Sequence, residues 1–99
     1  MTRLSGKIAI VTGSGGGIGQ AIAERFAAEG AHVWVTDING ETAEETVRNI
    51  KAKGGTATAM VVDVSKGQDL TALIRNVEKA HGYADILVNN AGILVRGEI

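Results

Sequence analysis

The sequence contains no cysteine, no proline and only one residue each of tryptophan, tyrosine and phenylalanine. Without cysteine the chain can form neither a disulfide nor a thiolate metal site, which is typical of proteins in a reducing compartment. A net charge of -1 gives no reason to expect nucleic acid or an anionic membrane surface as a partner. These absences favour a cytoplasmic protein that binds neither of them.

Long apolar runs are also absent from the N-terminal region. Only the short apolar run 8–11 precedes Thr12, whereas a secretory signal needs about 7–15 apolar residues and a membrane helix about 20. A length of 99 residues allows one domain, and 44% apolar with 21% charged residues is an ordinary globular composition. We therefore expect one soluble domain over residues 1–99, in which the 14 glycines mark tight turns rather than disorder.

Strand-like and helix-like patterns alternate along the chain. Apolar runs predict strands over residues 7–12, 31–37, 56–62 and 85–89, and helical spacing predicts helices over 17–29, over 40–53 and from Ser65 to Gly82. Ser65 is expected to be the N-cap of the third helix, with Gln68 completing a capping box. With right-handed crossovers, the order β-α-β-α-β-α-β predicts a doubly wound, Rossmann-type α/β fold with a parallel sheet ordered 3-2-1-4.

A glycine-rich turn, Thr-Gly-Ser-Gly-Gly-Gly-Ile-Gly at residues 12–19, connects the first strand to the first helix. Gly13 would permit the turn, Gly17 would let the backbone approach a diphosphate, and Gly19 would allow close packing of helix on strand. Gly15 and Gly16 are expected only to add slack. A tight turn without a ligand is the alternative, but so many glycines cost backbone entropy. A P-loop is excluded because no Lys-Ser or Lys-Thr follows the turn.

Asp37 ends the second apolar run, near the position where a carboxylate would hold the ribose 2′-OH of a dinucleotide. The same carboxylate would repel the 2′-phosphate of NADP, and neither Ser14 in the glycine turn nor Ile38, directly after the aspartate, supplies a cation. These residues favour NAD as the cofactor. The alternative for Asp37 is a helix cap or turn residue ahead of Asn39-Gly40.

Three segments in register resemble the short-chain dehydrogenase/reductase family: the turn at residues 12–19, Asp63-Val64 after the third strand, and Asn89-Asn90-Ala91-Gly92 after the fourth. The resemblance implies that Asp63 accepts a hydrogen bond from the adenine amine, with Val64 lending its backbone. It also implies that Asn90 lines the wall near the nicotinamide ribose. An alternative for Asp63 is entry to the third helix. The predicted cofactor-binding residues are Gly13, Ser14, Gly17, Ile18, Gly19, Asp37, Ile38, Asp63, Val64, Asn90, Ala91 and Gly92.

The catalytic serine, tyrosine, lysine and asparagine of that family follow the Asn-Asn-Ala-Gly segment, so no catalytic residue is assigned. Tyr83 is the sole tyrosine, and Leu87 rather than a lysine stands four residues later. His32 and His81 lack companions at metal-ligand spacing, so no metal site is expected. The resemblance implies the N-terminal part of a larger, single-domain oxidoreductase acting on an alcohol or carbonyl substrate. A non-catalytic NAD-binding module and a fragment without an independent role are the alternatives.

The fourth predicted strand would leave the sheet incomplete at an apolar edge. Residues 86–88 are Ile-Leu-Val, and a bare parallel edge of this kind invites pairing between chains. We therefore expect self-association of the isolated chain and a homo-oligomeric assembly.

Overall fold

The computed structural model describes residues 3–90, which form one four-stranded sheet with helices on both faces. The strands are β1 (Ile8–Thr12), β2 (His32–Asp37), β3 (Thr56–Val61) and β4 (Ile86–Asn89), and the helices are α1 (Gly17–Ala28), α2 (Gly40–Ala52) and α3 (Gly67–His81). All strand pairs are parallel, in the order β3-β2-β1-β4. The predicted fold class and strand order are confirmed.

Alternation along the strands divides the core into two layers, because successive side chains of a strand point to opposite faces. Val11 and Val35 lie on the face covered by α1 and α2, together with Ile50 of α2. Ile10 and Trp34 lie on the other face, against Leu73 and Val77 of α3. Trp34 is 6% exposed and belongs to the core on this face.

Most element boundaries agree with the sequence patterns to within one residue, but the start of α3 does not follow the capping box. Lys66, not Ser65, occupies the N-cap position of α3, and its side chain makes no capping hydrogen bond. The prediction that Ser65 caps this helix is wrong, because its hydroxyl donates to Asp63 instead. The predicted end of the helix is confirmed, since Gly82 is a left-handed C-cap with φ of 87°.

β4 forms one edge of the described sheet and pairs with β1. Ile86 and Val88 are half-buried against the α1 and α2 layer, whereas Leu87 points to the α3 side and is 64% exposed. The apolar edge expected from the sequence is therefore present within residues 3–90. In this same range, none of the helices has the length and apolar character needed to cross a bilayer.

Candidate functional site

The carboxyl ends of the strands bring the predicted site segments together at one edge of the sheet. Thr12 pairs in register with Thr36 on one side and with Asn89 on the other, and Asp37 pairs with Val61. Parallel strands place all their carboxyl ends at the same edge, and ligands of open α/β sheets bind there. Segments that are far apart in the sequence thus lie together at the carboxyl ends of the strands, where the groove for a ligand is expected in this type of sheet.

The glycine turn above β1 adopts a backbone that the sequence pattern required. Gly13 and Gly17 have φ of 62° and 60°, in the left-handed region where side chains with a Cβ are strained. A Cβ on Gly19 would overlap the Gly13 carbonyl and lie 2.8 Å from Nδ2 of Asn90. That amide donates to the Gly13 carbonyl oxygen at 3.2 Å. Gly19 therefore allows α1 and the Asn90 segment to close around the turn.

Gly15 is more than slack in the turn, and here the sequence expectation was wrong. Its N–H donates to Oδ2 of Asp37 at 2.9 Å. A Cβ at this position would lie 2.5 Å from Oγ1 of Thr42 and 2.9 Å from the same Asp37 oxygen. Gly16 agrees with the expectation, because a Cβ there would meet nothing within 4 Å. The two glycines are neighbours in the sequence, but only Gly15 has close contacts that exclude a Cβ.

The N-terminus of α1 lies at this groove, and no side chain within residues 3–90 caps it. Gly16 occupies the N-cap position and has no side chain that could accept a hydrogen bond. The first turn of α1 contains no acidic residue. The first N–H groups of a helix have no partner within the helix, and the helix dipole adds about half a positive charge there. Ile18, on this first turn, is 74% exposed. The arrangement suits an anion supplied from outside.

Ser14 supports the turn from below. It is fully buried, and its N–H donates to the Thr36 carbonyl oxygen at 2.9 Å. Its hydroxyl donates to the Val11 carbonyl at 2.5 Å and accepts from the Thr36 N–H at 3.0 Å. Its hydroxyl and N–H are thus engaged by strands β1 and β2, and the side chain is closed off from the groove.

Asp37 is held at the end of β2 by two backbone donors. Gly15 donates to Oδ2, and the N–H of Asn39 donates to Oδ1 at 3.0 Å. The cap of α2 is Asn39 rather than Asp37, so the cap alternative for Asp37 is wrong, although the aspartate does close a local turn. Each oxygen keeps a lone pair for an outside donor. Ile38 beside it is 68% exposed and offers an apolar surface.

Asp63 follows β3 and has its own set of local donors. Ser65 donates to Oδ1 of Asp63 through its hydroxyl at 2.6 Å and its N–H at 2.9 Å. The hydroxyl bond first, and then the N–H bond, lower the pKa of Asp63 below its ordinary value. The N–H of Asp63 donates in turn to Oδ2 of Asp69 at 3.0 Å. Val64 is half-buried against the α3 side of the core.

The role of Ser65 could have been found in the sequence. A serine two residues after an aspartate is a common Asx-turn pattern, which competes with the capping-box interpretation. Gly15 had no comparable signal, because its contacts come from Asp37 and Thr42, which are distant in sequence. Ala91 and Gly92, also predicted as site residues, lie outside the described residues.

The amino ends of the strands form the opposite edge of the sheet, and this amino edge carries none of the predicted site residues. A cavity of about 310 Å³ lies there between the C-terminal ends of α1 and α2, bordered by Glu24, Lys53 and glycines 30, 54 and 55. Tyr83 follows α3 at this same edge, away from the turn. Within residues 3–90 no group of three or more histidine, cysteine, aspartate or glutamate side chains could hold a metal ion.

The residues at the carboxyl edge fit a dinucleotide. The uncapped start of α1 can bind a diphosphate, the Asp37 carboxylate can accept from a sugar diol, and Oδ2 of Asp63 is left for a further donor. These acceptors and donors are arranged around one groove above the sheet. The residues at this edge can therefore bind and orient a dinucleotide.

Comparison with known proteins agrees with this geometry. A family model described as short chain dehydrogenase matches residues 7–99. The 7alpha-hydroxysteroid dehydrogenase of Escherichia coli (strain K12) is 49% identical over 90 residues, which are 91% of this chain and 35% of that protein. The chain spans about a third of the length of some of the curated relatives it matches, and 13–14% of the length of others.

Two solved structures with bound cofactors are similar in fold and sequence. A metagenomic short-chain oxidoreductase in complex with NADP superposes with a TM-score of 0.88 at 42% identity, covering 91% of this chain and 41% of that one. A 7 alpha-hydroxysteroid dehydrogenase complexed with NADH and 7-oxo glycochenodeoxycholic acid superposes with a TM-score of 0.85 at 46% identity, covering 89% and 34%. The two structures differ in the nicotinamide cofactor that they hold.

Proposed function

The chain belongs to the short-chain dehydrogenase/reductase family, and from that premise we propose that it is the NAD-binding portion of an oxidoreductase acting on an alcohol or carbonyl substrate. The observation that carries the proposal is the pairing of an uncapped α1 N-terminus with the Asp37 carboxylate, joined by the 2.9 Å bond from Gly15. One turn thereby positions both a diphosphate site and a ribose site.

Each described segment has a part in holding the cofactor. The N–H groups at the start of α1 bind the diphosphate, Asp37 binds the adenosine ribose, and Asp63 binds the adenine ring. Asn90 braces the turn through the Gly13 carbonyl and borders the nicotinamide side of the groove. The bound nicotinamide supplies hydride transfer, while these residues bind and orient it. Recognition of the substrate and exchange of its proton are functions of the whole oxidoreductase, and we assign no described residue to them.

The selection of NAD over NADP rests on Asp37. Its carboxylate is fixed by the N–H groups of Gly15 and Asn39, so it cannot easily turn away from a 2′-phosphate. Neither Ser14 nor Ile38 gives a compensating cation, because Ser14 is buried and uncharged and Ile38 is apolar. A phosphate placed here would meet a negative charge without an arginine or lysine at either position.

Calorimetric titration with NAD and NADP tests the proposal. We expect the chain to bind NAD more tightly, and Asp37→Ala to weaken NAD binding by about 1–3 kcal/mol, because hydrogen bonds to a charged acceptor are lost. NADP binding should weaken less or improve. Glu45→Ala removes an equal charge from an exposed position on α2 and should leave both affinities unchanged. Equal affinities for NAD and NADP in the unsubstituted chain would contradict the role given to Asp37.

A further inference from the structure

The loop between β3 and α3 is built around Asp63. Besides the two bonds from Ser65, the Lys66 N–H donates to the Asp63 carbonyl oxygen at 2.9 Å, which closes a turn. Asp69, in the first turn of α3, accepts the Asp63 N–H. Both the backbone and the side chain of Asp63 are therefore tied to neighbouring residues.

The two oxygens of the Asp63 carboxylate are not equivalent. Both donors from Ser65 go to Oδ1, and no donor within residues 3–90 is directed at Oδ2. A carboxylate whose side-chain rotation is already restricted loses less conformational freedom when it accepts an outside bond. The Ser65 bonds also lower the pKa of this carboxyl, and an ionised carboxylate only accepts hydrogen bonds.

We propose that Ser65 is a positioning residue for adenine recognition, which holds the Asp63 carboxylate so that Oδ2 accepts a hydrogen bond from the exocyclic amine. The inference rests on the proposed function, because it requires an adenine dinucleotide in the groove. An acceptor-only group at this place selects a base with an amine over a base with a carbonyl at the same ring position. Ser65 thereby contributes to base specificity without touching the base.

The test compares NAD with nicotinamide hypoxanthine dinucleotide, in which a carbonyl oxygen replaces the adenine amine. We expect the unsubstituted chain to favour NAD by about 10-fold, and Ser65→Ala to reduce that preference by about 3- to 10-fold. The ratio of the two dissociation constants on one variant cancels any loss of folded protein, because both ligands bind the same folded fraction. A merely structural role for Ser65 would lower both affinities equally and leave the ratio unchanged.

Two variants serve as controls for the hydroxyl. Ser65→Thr keeps a hydroxyl on the same Cβ and should retain the preference for NAD. Thr71→Ala removes a different hydroxyl from the same region, one that donates to the Gly67 carbonyl at 3.0 Å, and should also retain it. Loss of the preference in Thr71→Ala would mean that general loosening of α3, rather than positioning of Asp63, explains the result.

Asp63→Ala separates the possible failures. If it abolishes the preference while Ser65→Ala leaves it intact, Asp63 reads the amine and the role of Ser65 is refuted. If neither variant changes the preference, the contact between Asp63 and adenine is refuted as well, although binding of the diphosphate stands. If the unsubstituted chain binds no NAD, the proposed function fails and this inference fails with it.

Discussion

The helices α1 and α2 lie on the same face of the sheet, but their N-termini differ in how the first backbone N–H groups find acceptors. In α2 the side chain of Asn39 accepts from the N–H groups of Glu41 and Thr42 at 3.0 and 3.2 Å, and Glu41 adds a negative charge to the first turn. In α1 the N-cap is Gly16, which has no side chain, and the first turn contains no acidic residue. One helix satisfies its own donors and the other leaves them open.

The difference between the two helix starts indicates which of them can bind an anion. A glycine at the N-cap costs only about a few tenths of a kcal/mol relative to a polar cap, and α1 has this glycine at the carboxyl edge beside Asp37. A phosphate supplied from outside would take the place of the missing cap. α2 begins at the same edge of the sheet but is closed to an anion, so position in the fold alone does not make an anion site.

The largest expected effect comes from giving α1 a cap of its own. Gly16 has φ of -164° and open space for a Cβ, so Gly16→Asp should place a carboxylate over the first N–H groups of α1. We expect NAD binding to weaken by about 2–3 kcal/mol, because the phosphate loses donors and meets a like charge. Stability should change by no more than a few tenths of a kcal/mol, since glycine is itself a tolerable cap. Titration calorimetry and urea denaturation measure the two quantities.

Gly16→Ala is the matched control for that variant, because it adds a Cβ without a carboxylate. It should bind NAD within a few-fold of the unsubstituted chain. If Gly16→Asp binds NAD as well as Gly16→Ala does, the start of α1 is not the diphosphate site, and the contrast with α2 loses its functional meaning.

A smaller effect is expected from removing the cap of α2. Asn39→Ala should lower the free energy of unfolding by about 1 kcal/mol, because two N–H groups lose their acceptor. NAD binding by the folded protein should be nearly unchanged, since Asp37 is held by the backbone N–H of residue 39 and not by its side chain. Urea denaturation measures the loss, and Asn49→Ala, at an exposed position within α2, should cause none. A loss of NAD affinity as large as that of Gly16→Asp would erase the distinction between the two helix starts.

The smallest expected effect is a dependence of stability on pH, and it concerns the amino ends of the strands. There His32 and His81 have ring centroids 4.8 Å apart. Burial lowers the pKa of His32 below its ordinary value of 6.5, and the His81 imidazole and Lys51 lower it further. Between the lowered value and about 6.5 the unfolded chain binds more protons than the folded chain. Stability should therefore increase with pH across this window and be lost as the pH falls through it.

Urea midpoints measured from about pH 5 to about pH 7.5 should show this slope, and His32→Gln should flatten it. The affinity of the folded protein for NAD should not follow the slope, because neither histidine lies at the carboxyl edge. An affinity that titrates together with the stability would show that the two edges of the sheet are coupled.

The sequence was sufficient for the fold because the relevant signals are local. Strand β1 is a short apolar run, and the helices show apolar spacing and end at glycines such as Gly30 and Gly82, with φ of 101° and 87°. A parallel sheet with right-handed connections then leaves few strand orders to consider. The places of Gly13, Gly17 and Asp37 follow from that order, since each stands at the end of a strand or the start of a helix.

The roles of Ser14 and Gly15 depended on contacts with β2 and α2 that no local pattern contains. Ser14 was expected beside the cofactor, yet its hydroxyl is bonded to Val11 and Thr36 inside the sheet. Gly15 was expected to be incidental, yet it binds Asp37 and lies under Thr42. Asx turns and helix caps use the same polar side chains, so Ser65 could serve either until the start of α3 was known.

By itself, the sequence determined the order of strands and helices, the glycine turn and the acidic residue that follows the second strand. Periodicity and turn chemistry act over a few residues, so they can be recognised without knowing what lies nearby in space. Only the tertiary structure decided which glycine packs against Asp37, and that the Ser14 hydroxyl bonds to β2 inside the sheet. Those outcomes depend on atoms that are distant in sequence and meet only in the folded chain. A Cβ on Gly15 would lie 2.5 Å from Oγ1 of Thr42, whereas a Cβ on Gly16 would meet nothing within 4 Å.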